Sequence, residues 1–286
     1  MKYALVASQQ GHYPIRRLCQ WLDIAASGYY AWRNRAPSAR RQAEGSLLAQ
    51  IRQVYPRSRK TYGSPRIYAE LRAQGWGGNH KRIERLMRQH QIAAQSRRRF
   101  RHTTDSQHSL PVAPNVLQQR FSTAGANQVW TADLTYVATA EGWLYLATVL
   151  DLYSRRIVGW AMAAHLETPL VSEALHMALA QRQPTAGLLH HSDRGRQYAS
   201  ADYQALLRTA GIQVSMSRRG NCYDNAVHES FFGTLKRECA SEPYANRAAA
   251  RASLFEYIEV WYNRQRRHSA LGYLSPADFE HAHSVS

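Results

Sequence analysis

The feature that most constrains the fold is a change of hydrophobic pattern at Asn127. Beyond it come three strand-like runs, 130–137, 144–152 and 157–162, rich in Val, Leu, Ile, Thr and aromatic residues. The connections between them, Ala140-Glu141-Gly142 and Ser154-Arg155-Arg156, suit antiparallel hairpin neighbours. A helical pattern at about 168–181 follows, then a short apolar strand at 188–191, a helix at 201–209 and a strand at 212–215. Strands that alternate with helices pair in parallel. The sum is an α/β domain: a five-stranded mixed sheet flanked by helices. A helical run at 224–238 and another at about 246–262 complete it, the latter ending in the basic tail Asn263-Arg264-Gln265-Arg266-Arg267-His268.

Three carboxylates stand in distinct settings within this region. Asp133 interrupts the first strand, where Asp has low propensity, and alternation turns it away from the side taken by Ala132 and Leu134. Asp193 stands where a strand leaves the sheet, the usual position of ligands in open α/β sheets. Glu229 shares a helix face with Lys236, seven residues on and about 10 Å away along the axis, while Val227, Phe231 and Leu235 lie on roughly the opposite face. Each acid alone has a plainer reading: an ion-paired Asp, a turn Asp in Ser192-Asp193-Arg194-Gly195, a solvated Glu. Together they supply what phosphodiester transfer requires, oxygen ligands for two hard cations about 4 Å apart.

Charge separates this region from the one before it. Residues 1–120 hold 22 Lys/Arg against 5 Asp/Glu, and residues 121–286 hold 15 of each. All of the net +17 therefore lies in the first part, as in a polyanion-binding segment joined to a neutral catalytic one. Within 14–35 two short helices are expected around the turn 23–26. Pro14 opens the first and Ser27 caps the second, which carries Arg33 and Arg35. This spacing fits a helix-turn-helix and an ordinary helical hairpin equally. Three further helical patterns occupy 44–92. The last, capped by Asn79, sets Lys81, Arg82, Arg85 and Arg88 against one acid, Glu84, as a phosphate- or groove-contacting surface would. The stretch 95–126, with Arg97, Arg98 and Arg99, has a composition that is not expected to order itself. The expected divisions are 1–43 (helix-turn-helix-like), 44–94 (helical, DNA-binding), 95–126 (basic linker), 127–240 (catalytic core) and 241–286 (helix and basic tail).

Several chemistries are excluded. Cys19, Cys222 and Cys239 form neither a disulfide framework nor a metal knuckle, and His80, His90, His102 and His108 lack paired cysteines for zinc. There is no Gly-rich phosphate loop, and no apolar run approaches the roughly 20 residues of a membrane helix. The N-terminal apolar stretch is too short for a signal peptide, so a soluble intracellular protein is expected. His190 and His191 adjoin Asp193 and either tune the site or are plain packed or surface histidines.

The strings Trp130-Thr-Ala-Asp-Leu-Thr-Tyr136, Asp151-Leu-Tyr-Ser-Arg-Arg-Ile-Val-Gly-Trp160 and His191-Ser-Asp-Arg-Gly-Arg-Gln-Tyr198 resemble the integrase core of bacterial insertion-sequence transposases. So do Asn221-Cys-Tyr-Asp-Asn-Ala-Val-His-Glu-Ser-Phe-Phe232 and the stretch from Tyr262 to Pro276. The match is to the insertion-sequence-three family, in particular its second-reading-frame product, and covers nearly the whole chain. The resemblance implies a ribonuclease-H-like core with Asp133, Asp193 and Glu229 as catalytic ligands of two Mg²⁺ or Mn²⁺ ions. It implies Lys236 as a contact to the element's end, and end cleavage followed by strand transfer. The implied partners are terminal inverted repeats, target DNA and further copies of the chain on DNA, in a bacterial cytoplasm near the nucleoid. Because the family often fuses an upstream frame to this one, an upstream-frame protein or fusion is also expected. The competing readings are a DNA-binding regulator and a plain nuclease. The intact acids argue against the first, and the basic 1–120 region, suited to locating specific ends, argues against the second.

Overall fold

The computed structural model describes residues 1–95, 110–218 and 222–284, and Arg97, Arg98 and Arg99 lie outside them. The chain forms two compact units, Met1–Gln53 and Val54–Ser286. No helix among the described residues is long and apolar enough to cross a membrane.

The first unit holds α1 (Lys2–Gln9), α2 (Ile15–Trp21) and α3 (Ala26–Asn34). Val6, Leu18, Cys19 and Tyr29 form its core, with Tyr3, Ala7, Ile15, Leu22 and Ile24 packed around them. The hairpin expected at 14–35 is present, and α1, too short to stand out in the sequence, supplies its third side. The expected cap differs. Ala25 occupies the N-cap of α3 without a side-chain bond, and Ser27 lies inside the first turn. A fourth helix, α4 (Ala39–Arg57), follows.

The second unit continues with α5 (Ser64–Ala73) and α6 (His80–Gln89), whose Ile67, Leu71, Ile83, Leu86 and Met87 are buried. Asn79 caps α6 by accepting from the Lys81 N–H at 2.9 Å. The sheet is built from β1 (Val129–Thr139), β2 (Gly142–Asp151), β3 (Ile157–Ala163), β4 (Leu189–Ser192) and β5 (Gln213–Met216), in the order β3-β2-β1-β4-β5. The first three strands are antiparallel, and β4 and β5 join parallel, so the sheet is mixed as expected.

Between the strands run α7 (Thr168–Arg182) and α8 (Ala201–Thr209). One face of the sheet, with Trp130, Ala132, Val149 and Val158, packs on Leu170, Val171, Ala174 and Leu175 of α7. Gly159 makes this seat possible, because a Cβ there would stand 2.1 Å from the Ala174 carbonyl oxygen. The other face receives α9 (Ala226–Glu238). Beyond it come α10 (Arg247–Phe255), a π-helical stretch (Glu256–Tyr262) and α11 (Pro276–His283). The π-helical stretch shows in bonds that span five residues, Asn263 N–H to Ile258 O and Arg266 N–H to Trp261 O.

Two expectations are corrected here. Residues 110–126 are not a free spacer: Leu117 is buried, Leu110 and Ala113 pack on the core, and the Val116 and Leu117 N–H groups donate to Ser215 Oγ. Nor is 263–268 a solvated tail. Asn263 and Arg266 are buried, and the Asn263 amide bridges both backbone groups of Ile157. Charge in the sequence read as exposure because the partners of these residues lie far away along the chain.

Candidate active site

Sheet register places the first two acids. β1 and β4 pair in parallel with Ala132 opposite Ser192, so Asp133 and Asp193 are the next residues along adjacent chains. The third acid arrives on α9. Asn225, at its N-cap, donates from Nδ2 to Asp133 Oδ2 at 3.2 Å and to the Ala132 carbonyl at 3.4 Å. That contact holds the start of α9, and Glu229 in its first turn, against the strand that carries Asp133.

The electrostatics agree with this arrangement. Burial, then the Asp193 carboxylate and the Glu229 carboxylate, push Asp133 well above the usual carboxylate range. The Leu134 N–H, donated to Asp133 Oδ1 at 2.8 Å, and the Lys236 ammonium pull the other way without prevailing. Asp193 Oδ1 accepts the Gly195 N–H at 2.8 Å. Lys236 is half-buried, with Nζ 5.1 Å from the centroid of the Tyr136 ring. Burial lowers its pKa, while Tyr136 and Asp133 raise it. Among the described residues no three His, Cys, Asp or Glu side chains are already closed into a metal-binding group. The arrangement is a set of oxygen donors whose mutual repulsion a hard cation would relieve.

Neighbouring residues fix these positions, and several were not evident from the sequence. His228, fully buried next to Glu229, hydrogen-bonds with Thr131 Oγ1 at 2.9 Å and Thr148 Oγ1 at 2.6 Å, tying α9 to β1 and β2. Asp224, just before α9, accepts from the Arg218 backbone and guanidinium, from Asn115 and from Gln119. The Arg218 bonds hold its carboxyl far below the usual range. His190 and His191 are packed, not exposed: His190 Nε2 bonds with Tyr203 Oη, and His191 bridges Ser215 and Ser217. Asp151, another acid in a motif-like string, stands opposite Trp130 in the strand register and bonds the Asn127 and Tyr153 N–H groups. None of these carried a local signal: the sequence pattern places Asn225 inside the helical run 224–238, whereas it stands at the N-cap of α9.

The basic candidates are dispersed. In the first unit Arg33 Nη1 donates to Gln10 at 3.3 Å and Arg35 is exposed just after α3. In the second, Lys81 is exposed on α6 and Arg82 and Arg85 are partly covered. Arg85 bonds Gln89, and Arg88 pairs with Glu84.

Two Integrase core domain models match the chain, one over residues 123–222 and the other over 210–276, and an HTH-like domain model matches residues 42–100. Asp133 and Asp193 fall in the first of these, Glu229 and Lys236 in the second. The Escherichia coli (strain K12) protein "Transposase InsF for insertion sequence IS3A" is 44% identical over 283 residues, 98% of each chain. The chain belongs to the insertion-sequence-three (IS3) family of transposases. A further relative of this IS3-family transposase is the "Insertion element IS600 uncharacterized 31 kDa protein" of Shigella sonnei, 49% identical over 92% of this chain and 97% of that one. Among solved structures, the simian T-cell lymphotropic virus intasome is matched with a TM-score of 0.47 at 14% identity, over 81% of this chain and 74% of that one. The HTLV-2 integrase catalytic core in complex with magnesium is matched at 0.41 and 14%, over 55% and 99%. The transposase is a DNA-binding polynucleotidyl transferase with an integrase core domain. Its HTH-like match begins beyond the 14–35 hairpin and takes in α5 and α6.

Proposed function

We propose that the transposase cuts the ends of its insertion sequence and joins them to target DNA at one site, with Asp133, Asp193 and Glu229 as ligands of two divalent cations. The observation that carries this reading is the sheet register that sets Asp133 beside Asp193, with Glu229 held near by the Asn225 contact. The donor set fits Mg²⁺ or Mn²⁺, being all oxygen and short of positive charge. Bound there, the ions supply Lewis acidity and charge neutralisation at the phosphate under attack. In the first step a water oxygen bonds to phosphorus, the bond to the element's 3′ oxygen breaks, and that oxygen leaves with a proton as a 3′-hydroxyl. In the second, the 3′ oxygen bonds to a target phosphorus and displaces a target 3′ oxygen, so that bonds made equal bonds broken.

The chain's own residues orient these steps. The Leu134, Gly195 and Asn225 donors fix the rotation of Asp133 and Asp193. Lys236, steadied over Tyr136, offers its ammonium to a backbone phosphate of the element's end. Lys81, Arg82 and Arg85 on α6, Arg33 in the last turn of α3, Arg35 just after it, and Arg97, Arg98 and Arg99 are assigned to DNA phosphates and grooves. The family resemblance supports terminal inverted repeats as the recognised DNA and several copies on it. It also supports an upstream-frame protein or fusion as partner, and work in the bacterial cytoplasm at the nucleoid.

The test is Asp193→Asn with short duplexes of element ends in Mg²⁺. Cleavage and joining should disappear while duplex binding persists; normal joining by that variant would sink the ligand assignment.

A further inference from the structure

The strand that carries Asp133 continues into a row of aromatic rings. β4 ends opposite Ala132, and among the described strands β1 then runs on without a neighbour on that side up to the bridge between Thr139 and Tyr244. Lys236 of α9 meets this stretch at Tyr136, its Nζ 5.1 Å from the centroid of the ring. The Tyr136 ring in turn stands edge-on to Trp143, with centroids 4.7 Å apart and an interplanar angle of 70°. Trp143 pairs with Ala138 in the strand register, so the two rings share a face of the hairpin. Yet Trp143 is 49% exposed, beside a turn where polar residues are the rule. A cross-strand aromatic pair accounts for the covered half of the indole and not for the half left to solvent. The backbone here is fixed. Thr139 Oγ1 donates to the Gly142 carbonyl at 2.6 Å, and Arg247 Nε donates to the Trp143 carbonyl at 3.2 Å. Gly142, at φ +102°, leaves room for the arginine, since a Cβ there would stand 3.2 Å from Arg247 Nη2. The acid of the turn, Glu141, accepts the Arg247 N–H at 2.9 Å.

We propose that Trp143 is a nucleotide-binding residue of the transposase, its exposed ring stacking on a base of the element's end close to the phosphate held by Lys236. The Arg247 guanidinium, beside the same turn, is placed to meet the adjoining backbone. The inference rests on the reading of Lys236 as a contact to that end. Two centre-to-centre steps, 5.1 and 4.7 Å, lead from the ammonium to the indole. At about 3.4 Å per phosphate along one strand, they span no more than about three nucleotides. The occupant is DNA and not a protein because the ring adjoins a DNA contact and both cations at the patch, Lys236 and Arg247, suit a polyanion. Every base presents a π face, so this contact holds the end without reading its sequence.

The experiment measures binding of an element-end duplex by the full chain in chelator, which keeps the DNA uncut, with 2-aminopurine placed at each position near the terminus in turn. The proteins are the natural chain, Trp143→Leu, Trp143→Phe and Lys236→Ala, each with its melting temperature. The natural protein should change the 2-aminopurine fluorescence at one or two neighbouring positions. Trp143→Leu, apolar but without a π face, should abolish that change and weaken binding about tenfold. Trp143→Phe should keep the change and most of the affinity, at a melting temperature like that of Trp143→Leu. Unweakened binding by Trp143→Leu with the fluorescence change intact, while Lys236→Ala binds poorly, would overturn the Trp143 contact and leave the Lys236 assignment standing. Weakening by Trp143→Leu while Lys236→Ala binds normally would overturn the placement beside Lys236, and unweakened binding by both would overturn both. Equal weakening by the Leu and Phe variants, or weakening that tracks a lower melting temperature, would assign the indole to the hairpin pair, which also overturns the proposal.

Discussion

Glu238 ends α9 two residues beyond Lys236, and its replacement tests how the site is held. Its carboxylate is fully buried and accepts from Arg266 Nε and Nη2 at 2.9–3.1 Å, from Tyr257 Oη at 3.1 Å and from Trp261 Nε1 at 3.1 Å. Burial pushes the carboxyl up, but Arg266 outweighs it and holds the group below its ordinary value. Glu238→Ala strands a guanidinium only 3% exposed together with two buried donors. Breaking a buried pair from one side costs about 3–5 kcal/mol. With about 2–4 °C of melting temperature per kcal/mol for a unit of this size, the shift is about 6–20 °C.

A companion variant separates the pair from its neighbours. Glu238→Leu with Arg266→Met removes both charges, so the double variant should regain more than half of the loss, held back by the orphaned Tyr257 and Trp261 donors. Because the folded carboxyl titrates below the unfolded one, its contribution is present above about pH 4.5 and is lost as pH falls through the folded value. Urea denaturation from pH 7 to pH 3 should show natural and Glu238→Ala curves converging in acid. A single-variant loss below about 1 kcal/mol, far from the range for a buried pair, would refute the reasoning. So would a double variant no more stable than the single one.

Two other outcomes follow from the same geometry. Lys236→Ala should slow strand transfer about tenfold or more, equivalent to about 1.4 kcal/mol at the transition state, with little loss of stability; an unchanged rate with a lowered melting temperature would make the lysine structural. His190, His191 and His228 are buried neutral, burial lowering them to about 3, about 4 and about 3, below the ordinary 6.5. The unfolded chain takes up those protons first, so stability should fall below pH 6.5 by up to about 1.4 kcal/mol per pH unit for each. Asp133, raised by burial and its acidic neighbours, opposes this, and a denaturation midpoint that stays flat from pH 7 to pH 5 would count against the buried histidines.

What was legible in the sequence was local. Alternation around Asp133 and the short connections at 140–142 and 154–156 specify the hairpins, and the apolar side of α7 specifies which face it covers. Long-range polar pairing was not legible, because a charged residue reads the same whether solvated or paired. Arg266 sits in a string of cations, and its partner Glu238 lies 28 residues earlier at the end of α9. Asn115 and Gln119 sit in a stretch too polar to suggest order, yet both bind Asp224, about a hundred residues later. These hidden pairs give the zero balance of residues 121–286 a second meaning. Arg182 and Arg156 are taken up by Glu280, Arg218 by Asp224 and Arg266 by Glu238. Cations committed to internal pairs are less available to DNA phosphates, so part of the neutral balance of residues 121–286 is internal pairing. The charge asymmetry thus reflects how the core is built as much as what the chain binds.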